Sequence, residues 1–208
     1  MKWRIIDKKS VVAPAKGSYS DWKPQLAKEA AEQCVYCCIH ESKFGGMRNF
    51  HVEHLRPQSI FPDLTNTYEN LFYACGVCNI YKSNDWPGDH SPGDFSKPAY
   101  PDPSAIDYGT FLSVDSSTGF AISDTLTGKY LIERLHLNRP HVVGLRMLAS
   151  VMSRVHEIYD EMEMLHGAGE IPLGEKDAVL SALFELRALM KNLGEVKPYG
   201  AEQLKAAS

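Results

Sequence analysis

The chain has 208 residues, of which 44% are hydrophobic and 23% charged, and its formal net charge is −4 at pH 7. This length suits one compact domain, or a small domain with a helical extension, and the composition is ordinary for a soluble globular protein. No apolar run approaches the roughly 18 residues that a membrane-spanning helix needs, and the N-terminal stretch lacks the apolar core of a signal peptide. We therefore expect a cytoplasmic protein with no membrane contact. The acidic balance excludes a strongly basic surface of the kind that many nucleic-acid binders carry.

The N-terminal half predicts a helix and a strand, separated by loops. Residues 22–33 (WKPQLAKEAAEQ) predict a short helix, with Pro24 in its first turn. The pattern over residues 50–55 predicts a short strand that enters a loop at Pro57. Residues 61–84 predict a loop, then a turn that carries CGVC, then the start of a helix.

The C-terminal half predicts a linker, a hairpin and two helices. Residues 86–103 are rich in proline and predict a surface loop, and residues 106–123 predict a hairpin with DSSTG as its turn. Asn138 is a candidate N-cap for one helix, and a second helix begins near Glu175 and stops at Gly194. The apolar stripes of these helices predict a core between two antiparallel helices, with a partner-binding face as the alternative.

The cysteines indicate a metal site. Cys34 and Cys37 form one CxxC pair, and Cys75 and Cys78 form another. Two such pairs can complete a tetrahedral four-cysteine zinc site, and a cytosolic chain favours metal over disulfides. The alternative is a set of redox-active or buried thiols. Cys38 is left over and is interpreted as a small buried side chain.

Between the two pairs lies the stretch HVEHLRPQS, residues 51–59, which crowds two histidines and a carboxylate together. Asn79 directly follows the second CxxC pair, and Lys82 comes three residues later. A zinc ion bound at both pairs would hold the histidine and glutamate cluster beside Asn79. These polar groups are therefore candidates for a functional site.

Together these motifs resemble the HNH, or ββα-metal, nucleases that carry an added four-cysteine zinc site. The resemblance covers about residues 30–86. It implies an α+β fold with an HNH core. We expect an N-terminal segment and this core with its zinc site over residues 1–103, and a hairpin and helical C-terminal region packed on the core over residues 104–208. The matching residues are CVYC at 34–37, VEHLRPQS at 52–59, NL at 70–71 and CGVCNIYK at 75–82.

The resemblance also implies roles for individual residues. His54 matches the general base, and Glu53 matches the preceding acidic residue that binds the catalytic metal, which is usually Asp in relatives. Asn79 matches the last position of the motif and is implied to be the second metal ligand. Asn70 matches the middle asparagine, which orients the base and braces the loop through hydrogen bonds.

Three further residues are candidates. His51 lies two residues before Glu53, so on an extended strand both side chains share a face and His51 is a candidate third ligand. The alternative is a solvent-exposed strand histidine. Arg56 and Lys82 are candidates for contacts to phosphate oxygens, and the alternative for each is ordinary surface charge.

The implied activity is metal-assisted hydrolysis of phosphodiester bonds in nucleic acid, with DNA favoured as the substrate. Zn²⁺ is expected at the thiols and Mg²⁺ or Mn²⁺ at the catalytic site. A zinc-dependent interaction module without catalysis is one alternative. The segment LHLNRPHVVGLR, residues 135–146, resembles one in larger bacterial HNH proteins, some of which act in anti-phage defence beside an ATPase, as in Septu and certain retron systems. That resemblance suggests the other alternative, a nuclease subunit that acts only with an ATPase partner.

Overall fold

Short helices and two small antiparallel sheets alternate along the chain, which confirms the predicted α+β class. The computed structural model describes residues 2–8, 17–89, 91–167, 177–179, 181–185 and 188. The helices are α1 (Lys23–Glu29), α2 (Gly76–Lys82), α3 (Leu126–Arg134) and α4 (Pro140–Gly167), and the strands are β1 (Phe50–His54), β2 (Leu71–Cys75), β3 (Ser113–Val114) and β4 (Ala121–Ile122).

The first helix is present but shorter than predicted. It follows a 3-10 turn at Tyr19–Trp22 and ends at Glu29. The prediction that it continues to residue 33 is wrong because Ala31 (φ 43°) and Glu32 (φ 60°) adopt the left-handed conformation, which a helix does not tolerate. This turn directs the chain into the first CxxC pair.

The central unit is a ββα arrangement. Strands β1 and β2 pair antiparallel, with Glu53 opposite Phe72 and His54 opposite Leu71, and α2 begins directly after β2. The sequence prediction of a loop before CGVC missed β2. All five residues of β2 are buried, so its sequence LFYAC does not show the alternation by which half-exposed strands are recognised.

The hairpin after the linker is confirmed, although its strands have only two residues each. Helix α3 follows it and was not predicted. Its N-cap is Thr125, whose hydroxyl accepts a hydrogen bond from the Gly128 amide at 3.0 Å. Helix α4 begins at Pro140, so Asn138 is not its N-cap. The Asn138 side chain instead bonds the backbone N–H and carbonyl of Ala121 at 2.7 and 3.0 Å.

The chain divides into two compact units. The first consists of Met1–Asp115 and Phe120–Val142, and the second of Ser116–Gly119 and Val143–Ser208. The predicted division at residues 103 and 104 stays a prediction. Of the second predicted C-terminal helix, residues 177–179 and 181–185 are helical, whereas its predicted ends at Glu175 and Gly194 lie outside the described residues. None of the described helices is long and apolar enough to cross a membrane.

Candidate functional site

The four predicted cysteines meet in the interior of the first unit. The turn after α1 delivers Cys34 and Cys37, while Cys75 ends β2 and Cys78 lies in the first turn of α2. All four are buried, and their sulfur atoms lie within 4.8 Å of one another. The Cys37 and Cys75 sulfurs are 3.8 Å apart, and zinc bonds of about 2.3 Å in a tetrahedron place sulfurs about 3.8 Å apart. The cluster therefore fits a zinc site.

A cation that the sequence analysis did not identify contacts this cluster. Nη2 of Arg139 donates to the sulfurs of Cys37, Cys78 and Cys75 at 3.2, 3.4 and 3.5 Å. Burial acts to raise the pKa of the Cys37 thiol, but bonds from the neighbouring thiols and the charge of Arg139 outweigh it and hold the pKa well below its ordinary value. Arg139 is 61 to 102 residues from these partners in sequence, so no local pattern could have identified it.

A cavity of about 810 Å³ lies along β1 and is the setting of the remaining site residues. One wall is β1 itself, and another is the segment at the start of α1. His51, Glu53, His54 and Asn79, four of the residues predicted for catalysis or metal binding, line this cavity together. The other lining residues are Tyr19, Ser20, Lys23, Phe50, Val52, Pro57, Gln58, Ser59, Thr65, Ser83 and Asn84.

His54 is held in one tautomer. Its Nε2 is 2.9 Å from the Thr65 carbonyl oxygen, which can only accept, so Nε2 carries the proton. Its Nδ1 accepts from the Gln58 amide nitrogen at 3.0 Å. Burial lowers the pKa of His54, and the positive charge of Lys82 lowers it further, against an opposing contribution from the Thr65 bond. The imidazole is therefore neutral near pH 7 and keeps a lone pair on Nδ1.

His51 and Asn79 touch across β1 and α2. Nδ1 of His51 is 3.1 Å from Nδ2 of Asn79, and the His51 side chain is exposed to solvent. Gly76 lies beside this imidazole, and a Cβ at position 76 would meet the Asn49 carbonyl oxygen at a tight 3.3 Å and the Cε1 atom of His51 at a contact distance of 3.4 Å. One ring nitrogen and one carboxamide thus converge in the cavity, and their role as metal ligands stays a prediction.

Glu53 lines the cavity but is engaged by a buried cation. Its Oε1 is 2.8 Å from Nζ of Lys82 and accepts from the Tyr36 hydroxyl at 3.2 Å. Burial raises the pKa of Glu53, and Lys82 partly offsets this. Lys82 also donates to the His54 carbonyl oxygen at 2.8 Å and is fully buried. The ammonium of Lys82 is therefore inaccessible to a phosphate group, contrary to the sequence prediction. The reason is that the Lys82 side chain extends into the interior and does not lie on the exposed surface of α2.

Asn70 and Arg56 lie outside the cavity. The Asn70 carboxamide accepts from the Arg56 amide at 2.8 Å and donates to the Arg56 carbonyl at 3.0 Å and the Leu64 carbonyl at 3.3 Å, so it braces the loop after His54. Nη2 of Arg56 pairs with Asp89 at 2.8 Å. The guanidinium therefore faces a second, smaller cavity, which is lined by Arg56, Asp89 and Trp86 among others.

The sequence analysis missed several residues around the site. Gln58 stands in the HLRPQS stretch, four residues after His54 in a segment that is not helical, so the spacing alone did not indicate this contact. Thr65 contributes through its backbone carbonyl, which sequence does not mark. Tyr19 packs its ring edge-on against His54, with centroids 4.8 Å apart, and its amide bonds the Asn66 side chain at 2.9 Å. These contacts fix the wall that faces the imidazole.

A comparison with protein families finds a match for the segment that carries β1, β2 and α2. Residues 34–85 match the family model described as HNH endonuclease. Residues 34–85 form an HNH domain. The matched range runs from the first zinc-site cysteine to just beyond α2 and includes β1, β2 and the cavity residues His51 to His54. No curated protein and no solved structure matches the chain.

Within the part of the chain that the structure describes, the four thiols form the only group of three or more histidine, cysteine or acidic side chains with ligand atoms this close together. His51, Glu53 and His54 therefore do not form a comparable group.

Proposed function

We propose that this protein is a metal-dependent HNH endonuclease that hydrolyses phosphodiester bonds in DNA, with His54 as its general base. The observation that carries the proposal is the state of His54. A neutral imidazole, with Nε2–H fixed on a carbonyl and an unprotonated Nδ1 in an open cavity, is the arrangement that proton abstraction requires once the Gln58 amide yields Nδ1 to water.

The residues around His54 support this role. As a water molecule attacks phosphorus, Nδ1 of His54 takes its proton, and the Thr65 carbonyl stabilises the imidazolium that forms. The Gln58 amide occupies Nδ1 in the structure and has to yield that position to the water molecule. Asn70 keeps the loop that carries Gln58 in place through its three bonds to Arg56 and Leu64.

The donor set in the cavity fits a hard divalent ion. Rotation of the Asn79 carboxamide presents its oxygen beside the His51 nitrogen, and Glu53 contributes a carboxylate on the same wall. We propose these three residues as ligands of Mg²⁺ or Mn²⁺. The ion, when bound, neutralises charge on the phosphate and on the leaving 3′ oxygen. The pair of Lys82 with Glu53 oxygen Oε1 orients that carboxylate toward the cavity.

This ligand assignment predicts a change in metal dependence. Asn79→Ala should raise the Mn²⁺ concentration for half-maximal plasmid cleavage by about tenfold or more, since disturbed metal sites commonly lose that much affinity. Asn84→Ala is the matched control, because Asn84 lines the same cavity without contacting His51. Unchanged metal dependence in Asn79→Ala contradicts the ligand assignment, and no cleavage by the wild type with either ion contradicts the function.

The cation for substrate contact is Lys23. It is the one lysine or arginine among the described residues that line the cavity, and it makes no ion pair with the described part of the chain. Glu53 is balanced by Lys82, so the charge that remains for a phosphodiester comes from Lys23. We propose that Lys23 takes the role that the sequence analysis gave to Arg56 and Lys82.

Lys23→Gln is expected to weaken DNA binding by roughly tenfold and to reduce the slope of log affinity against log salt concentration by about 1. The rate at saturating DNA should change little. Arg56→Gln is the control, because Arg56 is paired with Asp89 outside the cavity. Fluorescence anisotropy with a labelled duplex at several salt concentrations measures both quantities. Equal losses in the two variants, or a loss only in Arg56→Gln, refute the assignment.

A zinc-binding module without catalysis is the second candidate. The observation that favours it is the buried ion pair of Glu53 with Lys82, which engages one oxygen of a predicted metal ligand. An ATPase partner, a role in anti-phage defence and a cytoplasmic location stay predictions, the first two based on the sequence of residues 135–146.

A further inference from the structure

Arg139 lies in the short segment, residues 135–139, that connects α3 to α4. Its Nη2 atom is 3.2 to 3.5 Å from three sulfurs of the cluster, those of Cys37, Cys75 and Cys78. One nitrogen at nearly equal distances from three sulfurs lies over one face of the four-sulfur cluster, the face that excludes Cys34.

The other end of the guanidinium is also held. Nη1 donates to the carbonyl oxygens of Leu135 at 3.2 Å and His136 at 3.3 Å, which lie in the same connecting segment directly after α3. The same connecting segment places the His136 ring 4.3 Å from the Tyr81 ring of α2. Asn138 in turn bonds the backbone of Ala121 in β4. The connection therefore joins α3, the hairpin, α2 and the sulfur cluster.

The negative charge of a zinc-loaded cluster favours the contact with Arg139. Four thiolates and one Zn²⁺ carry a net charge of about −2, and such a charge is costly in the interior unless a cation compensates it. An arginine stays protonated in proteins, and its N–H groups make charge-assisted hydrogen bonds. Arg139 is half-buried and its thiol partners are fully buried, so water screens the interaction less than at the surface.

We propose that Arg139 is a positioning residue of the four-cysteine zinc site, whose N–H···S bonds retain the ion and fasten residues 135–139 to it. The proposal concerns the zinc site alone and does not depend on the nuclease activity. It predicts that loss of these bonds weakens zinc retention and changes the electronic state of the sulfurs.

Zinc transfer to a chromophoric chelator tests retention. Arg139→Gln removes the positive charge and the planar set of guanidinium N–H donors, whereas Arg139→Lys keeps the charge but not that set of donors. We expect zinc transfer from Arg139→Gln to be about 10–100-fold faster than from the wild type, which is the usual effect of removing a group that supports metal ligands. Arg139→Lys should lie between them. Arg134→Gln is the control, because Arg134 forms a half-exposed pair with Asp85 at 3.1 Å.

A spectroscopic measurement separates hydrogen bonding from simple packing. In the cobalt-substituted proteins, N–H···S bonds stabilise the sulfur lone pairs, so their loss should move the sulfur-to-cobalt charge-transfer band to lower energy. We expect this shift in Arg139→Gln, a smaller shift in Arg139→Lys and none in Arg134→Gln. If Arg139→Gln does not fold, the charge-transfer band and the zinc-transfer rate of Arg139→Lys test the proposal in its place. Unchanged bands, or equal acceleration of zinc transfer in Arg134→Gln, overturn the proposal.

Discussion

Zinc-loaded His54→Ala protein is expected to cleave DNA about 10²–10⁴-fold more slowly than the wild type, the usual contribution of a general base. The imidazole is neutral because burial lowers its pKa, and its proton is fixed on Nε2 by the Thr65 carbonyl. Alanine removes Nδ1 of His54, which is proposed to accept the proton of the attacking water. Single-turnover cleavage of plasmid DNA in Mg²⁺ or Mn²⁺ measures the loss.

The control for this substitution is His40→Ala. His40 bonds Ser42 and lies near Glu32, and it does not line the cavity. We expect His40→Ala to cleave at the wild-type rate. Zinc content and thermal unfolding must show that His54→Ala is folded, because removal of the imidazole takes away its bond to the part-buried Thr65 carbonyl. Wild-type cleavage by a folded His54→Ala protein would mean that another group is the base.

Cys37→Ser is expected to lose zinc and, with it, most of the stability of the HNH domain. Zinc binding to structural sites contributes directly to folding, with apparent binding free energies of about 10–16 kcal/mol in zinc-finger peptides. Cys37 is buried, and its sulfur also bonds Arg139. Metal analysis of the purified protein and thermal unfolding measure the effect, which should appear as loss of about one zinc ion per chain and a large fall in Tm.

Cys38→Ser provides a closely matched control for that experiment. Cys38 is the next residue and is also buried, but it is not a member of the four-sulfur cluster. Its variant should keep the zinc ion and a Tm near that of the wild type. A Cys37→Ser protein with full zinc content and an unchanged Tm would show that the thiols do not form a structural metal site.

The features that were predictable from sequence are those formed by residues that lie close together along the chain. Two CxxC pairs predicted the zinc-type site, and the stretch at residues 51–54 predicted a strand, all four residues of which line the cavity. Helix α3 and strand β2 were missed for different reasons. Strand β2 is buried on both faces and has no alternation. Helix α3 has nine residues and contains a glycine at position 128, so its local signal is weak.

Contacts between distant residues were not predictable in the same way. Lys82 and Arg56 were both reasonable phosphate contacts by charge, yet one is buried against Glu53 and the other is paired with Asp89. The cation that lines the cavity, Lys23, lies more than 25 residues from the histidine cluster. Which cation faces a substrate depends on tertiary packing, and a residue's type alone does not determine it.

The most direct test of the central claim is plasmid cleavage by the zinc-loaded wild-type protein in metal-depleted buffer, before and after addition of Mg²⁺ or Mn²⁺. The cavity is proposed to need a hard divalent ion at His51, Glu53 and Asn79, separate from the zinc held by the thiols. Cleavage should therefore begin only when one of these ions is added. Equal cleavage before the addition, or no cleavage with either ion, would contradict the claim.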